Sequence, residues 1–285
     1  MAAPPSRISP TAHYTGYVWS RNGLSPPRFA TTRGAAMFHA LEGPMRLAAA
    51  TTGGLTLERM LLQRHLVIDH LLDRAIASGR VGQVVEIAAG MSGRGLRFSE
   101  RYPFLRYVEG DLPGMVARKR IAVGTAPPGL SLVAIDALVD DGPHALVTRI
   151  APRLDERKGV AVITEGLLSY YSQADAEGMW RRFLRLTAHC PSALYLSDVH
   201  FDHLQAAASR AFRRGLGWFA RGNVHLFEGD EAAFEARARA VGFDRATLHA
   251  PLDFGDVLEL PLGGIDVVRI LAAERGLTGA RDASP

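Results

Sequence analysis

Residues 83–113 of this chain, QVVEIAAGMSGRGLRFSERYPFLRYVEGDLP, narrow the choice of fold more than any other stretch. They read as strand, glycine-bearing turn, helix, strand and acidic turn. Val84, Val85 and Ile87 form the short apolar run of a buried parallel strand, with Glu86 inside it. Gly90, Gly93 and Gly95 follow; glycine lets a backbone turn tightly and lets a ligand approach it closely. Leu96 to Tyr102 has the spacing of a helix. A second strand, about Leu105 to Val108, runs into Glu109-Gly110-Asp111. That leaves a carboxylate at the strand's end, about twenty residues past the turn. The unit is βαβ, the building block of an α/β fold with a mostly parallel sheet and helices on both faces. In such sheets ligands bind outside the carboxyl ends of the strands, and an acid there accepts from ribose hydroxyls.

The ligand class follows from the turn. Its glycine spacing is GxxGxG, whereas the dinucleotide fingerprint is GxGxxG. A pyrophosphate also needs free N–H groups at a helix start with no acid close by. Glu86 lies just before the turn and suits a cation better. S-adenosylmethionine carries a sulfonium, an amino group and a ribose, and no phosphate. An acid (Glu86), small residues (Ala88, Gly90) and a second acid after the next strand (Asp111) form the pattern of class I methyltransferases. Two rivals stay open. One is a nicotinamide-dependent oxidoreductase, against which the glycine spacing and Glu86 both count. The other is a non-catalytic relative that binds the cofactor and acts through a partner.

Asp111-Leu112-Pro113, continuing as GMVARKR, opens a helix rich in Arg and Lys. Residues 164–171, TEGLLSYY, carry Glu-Gly, two apolar residues and tyrosines after a strand. Both stretches resemble the leucine carboxyl methyltransferase family, and more narrowly its bacterial branch of polyketide-biosynthesis-type O-methyltransferases. The resemblance covers about residues 55–200. It departs from the family at Ala88, where many class I enzymes have a glycine, at Ser92, and at Gly93-Arg94, where the family has Asp-Thr-Arg. It implies a Rossmann-like sheet of seven strands under an N-terminal helical lid. It implies that Arg64 binds the methionine carboxylate, that Asp136-Ala137 holds the adenine amino group, and that Glu165-Gly166 lies beside the cofactor. Tyr170 and Tyr171 are then placed to reach the transferred methyl or the substrate. Residues 1–54 become a substrate-covering segment and 55–285 the catalytic domain, with a helical insertion near 200–222.

The remainder of the chain fits this frame. Residues 1–12 read as mobile. His13 to Trp19 is an aromatic cluster; Tyr14, Tyr17 and Trp19 face the substrate from a lid or pack on the sheet. Thr31 to Ala50 reads as a helix broken at Gly43-Pro44. Thr56 to Ser78 has the strongest helical spacing, stopped by Gly79. Further strands are expected at Leu130–Ile135, Val160–Ile163, Ala193–Leu196, Asn223–Phe227, Arg245–His249 and Ile265–Leu271. Helices are expected over 113–123, 143–154, 173–189, 202–220 and 231–241.

The chain holds 33 basic and 29 acidic residues, and its arginines are scattered. That gives no nucleic-acid footprint. One cysteine allows no internal disulfide, and no apolar run reaches the roughly 18 residues of a membrane span. A cytoplasmic protein acting on a small-molecule or peptidyl substrate is the expectation, with no metal, since no ligand spacing is present. A carboxylate acceptor is already ionised and needs no base. A hydroxyl acceptor needs one within hydrogen-bond reach. His13, His39, His200 and His203 are the candidates by position, His200 foremost, with Tyr171 as the other catalytic candidate.

Overall fold

The structure, a computed structural model, describes residues 10–49, 54, 56–206, 225–261 and 267–276. Seven strands form one sheet in the order β3-β2-β1-β4-β5-β7-β6. They are β1 (Gln83–Ile87), β2 (Arg106–Asp111), β3 (Leu130–Ala134), β4 (Val160–Thr164), β5 (Ala193–Val199), β6 (Arg245–His249) and β7 (Arg269–Arg275). The first five run parallel, and β7 is antiparallel to both its neighbours. Chain order reverses between β1 and β4. Open α/β sheets bind ligands at the crevice outside the carboxyl ends of the strands at that switch point.

Strand alternation sorts the side chains onto two covered faces. Val84 and Tyr107 join one core, beneath α3 (Leu57–Ala77) and α4 (Arg94–Arg101). Val85, Ile87 and Val108 join the other, beneath α7 (Gln173–Leu186) and a later helix, α9 (Glu231–Val241). Glu86 and Glu109 share the parity of Val84 and Tyr107, so two carboxylates are buried on the α3–α4 side. Helix α3 opens with Thr56 accepting from the Arg59 N–H, and Gly79, at φ +75°, turns the chain away beyond its end.

Helix α1 (Pro10–Arg21) crosses α2 (Thr32–Ala49) closely: a Cβ on Gly34 would stand 2.1 Å from the His13 carbonyl oxygen. The chain is thus helical from Pro10, inside the stretch the sequence assigned to a mobile end. Pro44 does not break α2. The helix continues through it because Phe38 and Met45, on either side, bury into the same core. Helix α5 (Pro113–Val123) begins with proline at its first turn, and α6 is shorter than expected, Leu146–Ile150.

Strand β7 begins four residues later than the sequence pattern suggested. Its antiparallel pairing with β5 puts Arg269 opposite Val199. Residues 225–227 form no strand of their own; Phe227 makes one isolated bridge to Phe201. Of the expected insertion, α8 (Asp202–Ala206) is described, and 207–222 lie outside the described residues. Among the described residues no helix is long and apolar enough to cross a membrane.

Candidate functional site

A cavity of about 200 Å³ opens at the carboxyl ends of β1, β2 and β4. Residues 88–92 after β1 form its floor, with Asp111 and Met115 from the β2–α5 junction. Glu165, Gly166, Leu167 and Tyr170 after β4 form one wall, and Arg64 of α3 reaches in beside them. Thr11, Ala12, Thr15 and Trp19 of α1 make the roof, where the Thr11 hydroxyl meets the Tyr170 hydroxyl at 2.9 Å.

Three glycines of the turn do different work. Gly90, at φ +52°, donates its N–H to Asp111 Oδ2 at 2.8 Å and so ties the turn to the end of β2. Gly93 and Gly95 serve packing: a Cβ would stand 2.6 Å from the Leu24 carbonyl and 2.3 Å from Glu109 Oε1 respectively. Ala88 holds φ +56°, a left-handed backbone that glycine adopts without penalty. Replacing Ala88 with glycine should therefore stabilise the fold by about 0.5–1 kcal/mol after the greater freedom of the unfolded chain is subtracted. Thermal unfolding checks this, and a lower midpoint would contradict it.

Glu86 is satisfied from within the protein. Its Oε1 accepts from Arg94 Nη1 and its Oε2 from the Tyr107 hydroxyl, both at 2.7 Å. Glu86 lines the cavity with both carboxylate oxygens already engaged by the protein. Arg94 is fully buried, and each of its three nitrogens meets a different acid: Asp69 on α3, Glu86 on β1 and Glu165 after β4. Glu165 also accepts from Arg64 Nε, and His65 Nδ1 lies 2.8 Å from it. Arg64 Nη1 donates to Asp198 Oδ2 at 2.8 Å, leaving Nη2 with no partner among the described residues. Burial alone would raise the carboxyls of Asp69, Glu165 and Asp198. The guanidiniums of Arg94 and Arg64, with His65 and His200, outweigh it and hold all three below the usual range.

The sign of the resulting pH dependence follows. Groups with depressed folded values stabilise the protein above their unfolded values and lose that contribution as pH falls through the folded ones. Glu109 behaves oppositely. Burial pushes its carboxyl up from 4.5 to about 7 against the pull of Lys119. Lys119 Nζ lies 2.6 Å away, both groups are almost fully buried, and among the described residues neither Glu109 Oε2 nor Lys119 Nζ has a well-formed hydrogen bond. The native state therefore takes up a proton there between pH 4.5 and about 7, and stability falls as pH rises through that window. Replacing the pair with Glu109→Gln and Lys119→Met should flatten that slope in denaturant titrations. A slope that survives would remove Glu109 as its source.

The other sequence candidates lie elsewhere. Tyr14 packs on Phe38 with ring centroids 5.8 Å apart, and burial raises its hydroxyl; Tyr17 faces α2, its hydroxyl 3.3 Å from His39 Nε2. The helical period of α1 turns both toward α2 and leaves Trp19, stacked on His65, on the cavity side. Leu112 is exposed and donates its N–H to Asp111 Oδ1. Asp136 closes its own turn by accepting from the Leu138 N–H, and Ala137 packs on the α7-side core. Tyr171 also packs against that core, and His200 Nε2 lies 3.2 Å from Asp198. Apart from Trp19, none of these lines the cavity. His65, Asp69 and the α1 threonines were not singled out from the sequence, and Asp198 only as one of several polar residues at the end of β5. The one signal was Arg94, standing in the turn where the family pattern departs.

Solved structures share the fold. A DUF574 family protein from Streptomyces avermitilis superposes with a TM-score of 0.60 at 13% identity, covering 94% of this chain and 99% of its own. A provisionally named methyltransferase from Thermobifida fusca gives 0.59 at 12%, covering 96% and 98%. The CurJ carbon methyltransferase gives 0.52 at 11%, covering 86% and 71%. No curated protein sequence matches the chain. Residues 27–183 match the leucine carboxyl methyltransferase family. That span includes Arg64, the β1 turn, Asp111 and the Glu165 turn, and excludes α1. More than half of the chain matches, and it belongs to the leucine carboxyl methyltransferase family, a family of S-adenosylmethionine-dependent methyltransferases.

Proposed function

We propose that this cavity binds S-adenosylmethionine and that the chain transfers its methyl group to an oxygen of a small-molecule or peptidyl acceptor. The observation that carries the reading is Asp111 at the end of β2, beside the β1 turn, on the edge where such sheets bind ligands. Each Asp111 oxygen accepts one backbone N–H and keeps lone pairs for ribose hydroxyls. Of the three lining carboxylates, Glu86 and Glu165 are paired with Arg94 and Arg64, and Asp111 alone has no ion pair among the described residues, which disfavours a pyrophosphate beside it. Arg64 Nη2 suits the methionine carboxylate. When bound, the cofactor supplies an electrophilic methyl group.

The chain's own residues then do the rest. Asp111 holds the ribose. Arg64 fixes the amino-acid end, its angle set by Glu165 and Asp198. Helix α1 covers the site and excludes water. The described lining contains no imidazole, which favours an acceptor that needs no base, a carboxylate, over a hydroxyl. The fold itself does not choose the acceptor atom, since the CurJ relative is a carbon methyltransferase.

Methyl transfer from labelled cofactor to matched carboxylate and hydroxyl acceptors tests the reading. Label in base-labile ester is expected. Label only in base-stable ether would overturn the carboxylate assignment, and retention of cofactor without turnover on any acceptor would overturn catalysis.

A further inference from the structure

A second concavity, of about 660 Å³, opens between the ends of α1 and α2 and the start of α3. Its size falls within the range in which small ligands are bound. Helix α3 feeds the start of β1 from its far end, so its first turn lies at the carboxyl edge of the sheet, the edge that carries the cavity. Neighbouring residues on the same helices divide between the two. Trp19 and Arg64 line the cavity, and Arg21, Asn22, Arg59 and Leu62 line the groove.

Three arginines from three helices converge on this groove: Arg21, Arg46 and Arg59. Glu58 is the one acid among its described lining residues. Each guanidinium commits one nitrogen to the protein. Arg21 Nε lies 3.3 Å from Glu58 Oε1, Arg46 Nη2 lies 2.8 Å from Glu42 Oε1, and Arg59 Nη1 donates to the Gly54 carbonyl at 2.8 Å. Arg21 also stacks on Phe38 at 5.0 Å. Each arginine has five N–H donors in a planar fork, so most of the donors at this groove have no partner among the described residues. Glu58 and Glu42 offset two of the three charges, and Arg59, held only by a carbonyl, keeps its charge without an acid partner among the described residues. The planar forks match the oxygens of phosphate and carboxylate.

We propose that this groove is a binding site for an anionic ligand carrying at least two oxyanion charges, distinct from the methyl-donor cavity. The site stands independently of the methyl-transfer reading. Two sources supply such chemistry, a phosphate ester and a polycarboxylate, and inorganic pyrophosphate and citrate stand in for them.

Calorimetry of the full chain with each anion tests the site. Sub-millimolar binding is expected for one of them, and the tighter of the two names the source. Arg46→Gln combined with Arg59→Gln should weaken it about tenfold or more. Arg46→Gln alone, on a largely exposed side chain that folding does not need, should weaken it about threefold. Glu58→Gln should tighten it by a similar factor, since it removes the lining acid. Arg185→Gln, a control on an exposed side chain paired with Asp140, should leave it unchanged. Three results would overturn the proposal: silence with both anions, binding that the two arginine substitutions leave intact, or binding abolished by saturating S-adenosylmethionine, which would put the anion at Arg64.

Discussion

Replacing Arg94 with methionine is expected to cost about 3–5 kcal/mol of folding stability. The physical reason is an imbalance. Asp69 would keep Arg97 and His65, and Glu165 would keep Arg64 and His65. Glu86, 1% exposed, would keep only the Tyr107 hydroxyl and become a buried charge without a cation. A second substitution separates the pair from the fold: Glu86→Gln added to Arg94→Met removes that charge and should recover about 1–3 kcal/mol. Urea unfolding of wild type, both singles and the double variant measures the cycle. A loss under about 1 kcal/mol for Arg94→Met would mean that the buried charges are balanced by something other than this guanidinium.

Asp111→Ala should weaken S-adenosylmethionine binding by about tenfold to a hundredfold, the range for losing one or two hydrogen bonds to a charged acceptor. It should also cost about 1–2 kcal/mol of stability, because the Gly90 and Leu112 N–H groups lose their acceptor. Asp111→Asn keeps the shape and one of the two backbone acceptors, so it should cost the fold less than alanine does while still weakening the cofactor. Acid should act in the same direction. Burial raises the Asp111 carboxyl above its ordinary value, so affinity should begin to fall at a higher pH than a solvent-exposed aspartate would give. Unchanged affinity in both variants would remove the ribose assignment.

The sheet was legible because burial on both faces writes parallel strands as continuous apolar runs. Val84 to Ile87 and Val160 to Ile163 stand out for that reason. The acid at Asp111 was legible because strand length and turn spacing together fix where a βαβ unit ends. Side-chain destinations were harder to read. Tyr14, Tyr17 and Trp19 look alike in sequence, yet the crossing of α1 over α2 sends only Trp19 to the cavity. Glu86 shows in sequence as a carboxylate without a partner. Its partner, Arg94, lies eight residues on, and the charge network also draws on α3 and on the ends of β4 and β5, distant in the chain. Asp136 has the spacing of a ligand contact, but its oxygen closes a local turn, the common competing use of aspartate at a strand end.

The most direct test of the central claim is calorimetry of the purified chain with S-adenosylmethionine, with NAD run in parallel. Micromolar binding of S-adenosylmethionine and silence with NAD is the predicted result. Binding of NAD, or silence with S-adenosylmethionine in the presence and absence of acceptor, would contradict it.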